Sequence, residues 1–581
     1  MGSSLCATDA GGANAEPVHE LLFPMYVVKV SDFCQMDGPP EPHHLMKSQG
    51  LLHKWRPGMF VIFVSHQWLS YTHPDPHGRQ TAVLRSTLEG VMSGSLYVEP
   101  DTVSIPSGKA LSPTIRQQIG DGYLFLDWYA IPQITARQEG VNEEVTMTDA
   151  ALAVQSIPAY VELANVFIAL VPALLHTETG MPCNYVSWQS RGWCRAEWWC
   201  HLLSNKPDTS VIVVYSCREA EFMFPLSWQE NKVSDGEFTV EADRRVVAKL
   251  GERALESKIR FLSTAGPLSK YRFYLAQRPS LLCQRSEDFG LIEFLSHFRF
   301  PERLEEAIQD TSSMNPILCA VFAGDAKILR ALLENRADAN QKLYGLSDLG
   351  FYDGQTVLMA ATKSRQTPEV LSTLIGLRAD VNAATRIGLT TVALVRDPGQ
   401  LRVLMEARAD IHTPGRPFGL SPLAGAAVWA CPETISAMLA ARCDPNFTPH
   451  GVGYGPLHAV CLQARNSRRA IDIARILLSS RADVNSRAAP VGVFQLGCWI
   501  AQARVAMRGF GHCSIVVKTM AALPGLTPLG AAALIGDEGL ARLLWENHAE
   551  VLANQRGDLP EDLAIANGHD HLLPLLASFG V

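Results

Sequence analysis

Within residues 191–200, RGWCRAEWWC, Glu197 is the lone carboxylate among three tryptophans and two cysteines. A carboxylate beside indole rings is partly desolvated, which disfavours its charge and raises its pKa. Such a group is a candidate catalytic acid or base. The competing reading is structural: Glu197 hydrogen-bonds a neighbouring loop, for instance an amide of the turn at 65–68. Helical spacing puts Ala196, Trp199, Cys200 and Leu203 on one stripe that meets a sheet, with Glu197 at its edge, one turn after Trp193. Other chemistry is poorly supplied. Cys194, Cys200 and His201 stand close in sequence without a CxxC pair or second cluster, so no metal site is expected. His73 and His77 sit beside Pro74 and Pro76, as in an ordinary loop, and neither standard phosphate-binding glycine loop occurs.

The elements that must position Glu197 lie in residues 55–220. Apolar, β-branched runs at MFVIFVSHQW (from Met59), YLFLDWYAIPQ (from Tyr123), NVFIALVP and SVIVVYS (from Ser210) read as strands. Helical patterns fall between them, at 148–164 with Pro158 dividing it and across RGWCRAEWWCHLLS. This alternation predicts an all-parallel sheet covered on both faces. In such sheets the functional crevice lies beyond the carboxyl ends of the strands. Ser65, His66 and Trp68 fall there after the first strand, and Asp127 with Trp128 after the second.

The series FVSHQW, LFLDWYAIPQ, an alanine-rich helix leading into NVFIALVP, and RGWCRAE resembles TIR domains and their fungal heterokaryon-incompatibility (HET) relatives. The W-C-x-x-E of Trp193, Cys194 and Glu197 is similar to the TIR helix that carries the catalytic glutamate of NAD-cleaving members. The resemblance implies a flavodoxin-like fold and self-association through the α/β domain. It also implies NAD as a substrate, with Glu197 engaging the ribose as nicotinamide leaves and Trp68 or Trp193 stacking on the base. Many members of that superfamily are scaffolds that cleave nothing. His66-Gln67-Trp68 replaces the arginine- and glycine-containing turn of plant members, and residues 97–118 insert extra loop.

From about residue 313 the chain repeats itself. The tails NRADAN, LRADVN, ARADIH, ARCDPN, SRADVN and NHAEVL recur, with Arg336, Arg378, Arg408, Arg442, Arg481 and His548 in register. Their spacing scatters around the roughly 33-residue ankyrin period. The last gap is about two periods, so 487–524 holds a degenerate repeat or an insertion. In LTPLGAAALIGDEGLARLLWENHAEV, Thr527 can cap a helix whose first turn accepts Pro528. Leu540, Leu543 and Leu544 give a second helix its apolar face. The stretch 313–581 resembles six to seven ankyrin repeats, an all-α solenoid whose concave surface implies a protein partner. Ankyrin repeats usually place glycine where this chain has Arg or His. A left-handed residue there costs about 1 kcal/mol per repeat.

Composition sets the remaining limits. At 581 residues the chain needs several domains. A net charge of −8 supplies no basic footprint, so nucleic acid is not an expected partner. Thirteen scattered cysteines fit reduced thiols and a cytoplasmic setting. No apolar run reaches the roughly 20 residues of a transmembrane helix, while Gly2 and Cys6 in MGSSLC offer a lipid-anchor alternative. The expected order is an N-terminal extension (1–54), the α/β domain (55–220), a mainly helical bridge (221–312) and the repeats (313–581). The expected function is an adaptor in signalling or defence, in which the repeats recruit a partner and the α/β domain gives the output. The alternatives are an NAD glycohydrolase using Glu197 and an inert scaffold.

Overall fold

The computed structural model describes residues 20–100, 110–136, 143–223, 227–416, 419–448 and 450–579; Gly2, Cys6 and part of the 97–118 stretch lie outside them. Among the described residues no helix is long and apolar enough to cross a membrane. The N-terminal half folds on strands β1 (Tyr26–Lys29), β2 (His53–Lys54), β3 (Val61–His66), β4 (Val98–Pro100), β5 (Tyr123–Leu126), β6 (Val166–Leu170), β9 (Val211–Ser216) and β10 (Glu219–Phe222), with a separate ribbon of β7 (Leu174–Leu175) and β8 (Pro182–Cys183). The main sheet runs β2-β1-β5-β3-β6-β9-β10-β4.

Its centre, β5-β3-β6-β9, is parallel throughout, with Val61 opposite Tyr123, Ile62 opposite Val166 and Phe167 opposite Val211. Taken in chain order, these strands lie second, first, third, fourth, the order of doubly wound flavodoxin-like sheets. The expected all-parallel sheet does not extend beyond this centre, although β4 pairs parallel to β10 at the far edge. β1 runs antiparallel to β5, and β2 to β1, so the 1–54 segment contributes two strands. β10 is antiparallel to β9 because only Cys217 and Arg218 join them, and a parallel return needs a crossover of a dozen residues or more.

Strand periodicity sorts the core into two layers. Phe63 stacks on Phe125 and Phe167 at centroid distances of 4.7 and 5.3 Å. This face lies under the helices Ile157–Leu163 and Gly192–Leu202. Ile62, Val64, Leu124, Leu126 and Ile168 point the other way, where the helix Arg79–Ser93 buries Leu84, Leu88 and Val91. Residues 221–312 contribute the helices Asp243–Thr264, against Gly192–Leu202, and Leu268–Leu281, against the first repeat.

Helix pairs follow, from Pro316–Ala323 with Ala326–Glu334 to Pro560–Asn567 with Leu573–Ser578. Thr356, Ser421 and Thr527 cap first helices by accepting the amide three residues on, and Asp325, Asp397 and Asp537 cap second ones. Arg336, Arg378, Arg408, Arg442, Arg481 and His548 all take left-handed backbone, with φ between 61° and 74°. Asparagines join successive tails: Asn446 donates to the Arg481 carbonyl at 2.8 Å and accepts from the Asp483 amide, and Asn340 does the same to Arg378 and Asp380. Asn485 reaches past residues 487–524 to His548 and Glu550, and the helix Pro456–Leu462 packs directly on Pro528–Ile535. The helices Gly492–Arg508 and Ile515–Ala522 are therefore inserted between neighbouring pairs rather than stacked among them.

The pairs grip the sheet through the loops between their two helices. Arg465 spans both oxygens of buried Glu219 at 2.7 Å, His569 Nε2 lies 3.0 Å from the same carboxylate, and the Arg465 guanidinium covers the Tyr215 ring at 3.8 Å. Ser216 donates to the Asn567 carbonyl, and a Cβ at the left-handed Gly568 would press on Ser216 at 3.0 Å. In two further loops Arg396 and Arg365 face Glu230 at 2.9 and 3.6 Å. One buried apolar cluster runs through both halves.

Candidate functional site

The parallel centre ends in a cluster built from three elements. Ser65 and His66 are the last two residues of β3, and Asp127 opens the Asp127–Ala130 helix directly after β5. Glu197 comes from the second turn of Gly192–Leu202. That helix begins at a glycine because the Phe238 ring occupies the space of a Cβ at Gly192.

Ser65 Oγ donates to Glu197 Oε2 at 2.5 Å and accepts from the Trp188 indole at 3.0 Å. Beside it, His66 Nε2 meets Asp127 Oδ1 at 2.9 Å and His66 Nδ1 meets Gln80 Oε1 at 3.0 Å. Trp68 donates to the other Asp127 oxygen at 3.0 Å, and the Trp128 amide to the first at 2.7 Å. The Cys194 thiol reaches the His66 carbonyl, tying the glutamate's helix to the end of β3.

The two carboxyls are driven apart. Burial pushes Glu197 up to about 8; the Ser65 hydrogen bond opposes this weakly and the nearby Asp127 charge adds to it. Burial works on Asp127 in the same direction, but His66 and the Trp68 and Trp128 donors outweigh it and hold Asp127 below its ordinary value. His66 is raised: burial favours its neutral form, and the charge and hydrogen bond of Asp127 overcome that. At neutral pH the site therefore holds Glu197 as a neutral carboxyl beside an ionised Asp127, with His66 shifted toward its charged form. Environments that separate paired titratable groups in this way are how acid and base roles become assigned.

Of the residues singled out from sequence, Ser65, His66, Trp68, Asp127 and Glu197 come together. Trp193 does not join their hydrogen-bond network, because its indole donates to Asp243 of the bridge at 3.0 Å. Glu197 meets the Ser65 hydroxyl rather than a loop amide. Trp188, Gln80 and Cys194 were not singled out as site residues. Only Cys194 carried a local signal, its helical spacing from Glu197; the other two are recruited by tertiary packing. Trp68 has its N–H on Asp127 and its ring edge-on to Trp128 at 5.4 Å.

No family model matches the chain, and no curated protein does. Among solved structures, the chain is similar to the human ASB11 ankyrin repeat domain at 19% identity and a TM-score of 0.30, over 44% of this chain and 96% of that one.

Proposed function

We propose that the chain is a protein-interaction adaptor in signalling or defence, whose ankyrin-like pairs recruit a partner and whose TIR- or HET-like domain delivers the output. The observation that supports it is the buried junction of Arg465 and His569 on Glu219. Through that junction, strain from a partner held on the repeats reaches the sheet that carries the site. The repeats leave Tyr344 and Ile387 exposed in the hairpin loops before two pairs. Co-purification with the full chain and with its Tyr344→Ser/Ile387→Ser variant tests the recruiter. Proteins held by the wild type and lost by the variant support it; identical retention assigns recruitment elsewhere.

A second reading rests on Glu197 itself, a carboxyl with a raised pKa at the crevice end of a parallel sheet. It makes the output cleavage of NAD: the bond from ribose to nicotinamide breaks, its electron pair leaves on nicotinamide, and water adds to the ribose carbon. The Glu197 carboxylate would stabilise the cationic ribose. Since that form is reached as pH rises through about 8, nicotinamide release by the full chain rises across that value and disappears in Glu197→Gln. Equal release by the variant removes Glu197 from the reaction, and no release at any pH leaves the adaptor or scaffold reading.

A further inference from the structure

The inserted helix Gly492–Arg508 has two faces of opposite fate. Ala501 and Val505 are buried against Val517 and Ala521 of the helix Ile515–Ala522, and Cys498 is buried in the main core. That second helix holds on to the turn between β9 and β10, where Lys518 donates to the Arg218 carbonyl at 3.1 Å. The outward face carries Val493, Leu496, Ile500 and Met507, positions i, i+3, i+7 and i+14, with Trp499 beside them. Trp499 and Ile500 are each 57% exposed and Met507 is 77% exposed. An exposed apolar stripe of this kind, with Arg504 set between Ile500 and Met507, marks a binding site, and an exposed tryptophan in it is the usual anchor. Asn485 already bridges the neighbouring repeats across the insertion.

Charge selects the occupant. The helix has no aspartate or glutamate, and Arg504 and Arg508 are its charged groups, both exposed. A second copy is poorly matched. In an antiparallel pairing Arg504 and Arg508 of each copy meet the other's first turns, which hold no carboxylate and present the positive end of the helix dipole. An anionic membrane gains only about 1 kcal/mol per arginine, against a chain of net charge −8. We propose that this face docks an amphipathic helix of a partner protein, with apolar residues at i, i+3, i+4 and i+7 flanked by Asp and Glu. The docked helix would run along some 25 Å of the surface. This goes beyond the adaptor reading, which puts the partner on the concave face of the repeats, and it survives that reading's failure.

The probe is a phage-displayed library of random 16-residue peptides selected on the full chain. The proposal expects helical, acidic-flanked peptides. Their affinity should fall on the order of tenfold in Trp499→Ser/Ile500→Ser and fall again in Arg504→Glu/Arg508→Glu, with circular dichroism unchanged. Peptides without acidic residues, binding unaffected by either variant, or no selected peptide at all overturns it. Sedimentation showing a dimer lost in Trp499→Ser/Ile500→Ser assigns the face to a second copy. Binding to phosphatidylserine vesicles lost in the same variant assigns it to a membrane. Either result also overturns the proposal.

Discussion

Glu197 and Asp127 sit in the same cluster yet shift in opposite directions, and the difference is the His66 charge beside Asp127 together with the number of donors each receives. Asp127 accepts from His66, Trp68 and the Trp128 amide, whereas the Glu197 carboxyl has the Ser65 hydroxyl. A buried carboxylate is stabilised by donors and opposite charge and penalised by desolvation. The consequence for stability has a definite sign. In the unfolded chain the Glu197 carboxyl loses its proton near the ordinary 4.5, while in the folded protein it keeps it to about 8. Between those values the folded state binds more protons, so stability falls as pH rises. The contribution is complete below the unfolded value and gone above the folded one. Glu197→Gln, which cannot ionise, should match the wild type in melting temperature near about pH 5. It should exceed it above about pH 8, by on the order of 1 °C per kcal/mol in a chain of this length. A melting difference independent of pH would mean that Glu197 is already ionised in the folded protein.

At the scale of the element, the RADxN tails join two opposing devices. The left-handed arginines cost backbone strain, and the asparagine that ends the tail bonds the strained residue of the next repeat. Arg442→Gly should therefore stabilise the chain by up to about 1 kcal/mol. Asn446→Ala, losing its bonds to Arg481 and Asp483, should cost about 1–2 kcal/mol. Urea titration of the full chain checks both, and an arginine replacement that destabilises would show that its side chain, not its backbone, matters. These elements were legible from sequence because their signals are local: capping residues, a proline at the first helical turn, and a repeated tail. The four central strands were legible as apolar runs for the same reason. β1, β2, β4 and β10 were not, since they flank the parallel centre and pair only because a neighbouring strand offers an edge. At the site, Ser65, His66, Trp68 and Asp127 were found by a topological rule about strand ends. Trp193 was placed with them only by proximity in sequence, and Asp243, fifty residues on, claims its indole.

At the scale of the molecule, the two halves behave as one body because a charge is buried between them. Glu219 and Arg465 are 246 positions apart, and nothing in either local sequence announces the pairing. Burial alone would raise the Glu219 carboxyl, but Arg465 and His569 hold it far below the ordinary carboxylate range. Removing one partner strands the other: Arg465→Met leaves a buried carboxylate without its bidentate partner and with His569 beside it, a loss of about 3–5 kcal/mol. Replacing both by Glu219→Gln/Arg465→Met restores most of it, because a buried pair repays its own desolvation only in part. Acid should act as the single substitution does. A depressed folded pKa gives stability that is present above the unfolded value and lost as pH falls through the folded one. Hydrogen exchange across β9 and β10 reads the junction directly. In Arg465→Met these strands should lose protection together with the Pro456–Leu462 and Pro560–Asn567 helices, while the first helix pair keeps its own. Loss confined to the repeats would mean that the sheet edge stands without them, and that a partner on the repeats has no mechanical path to Glu197.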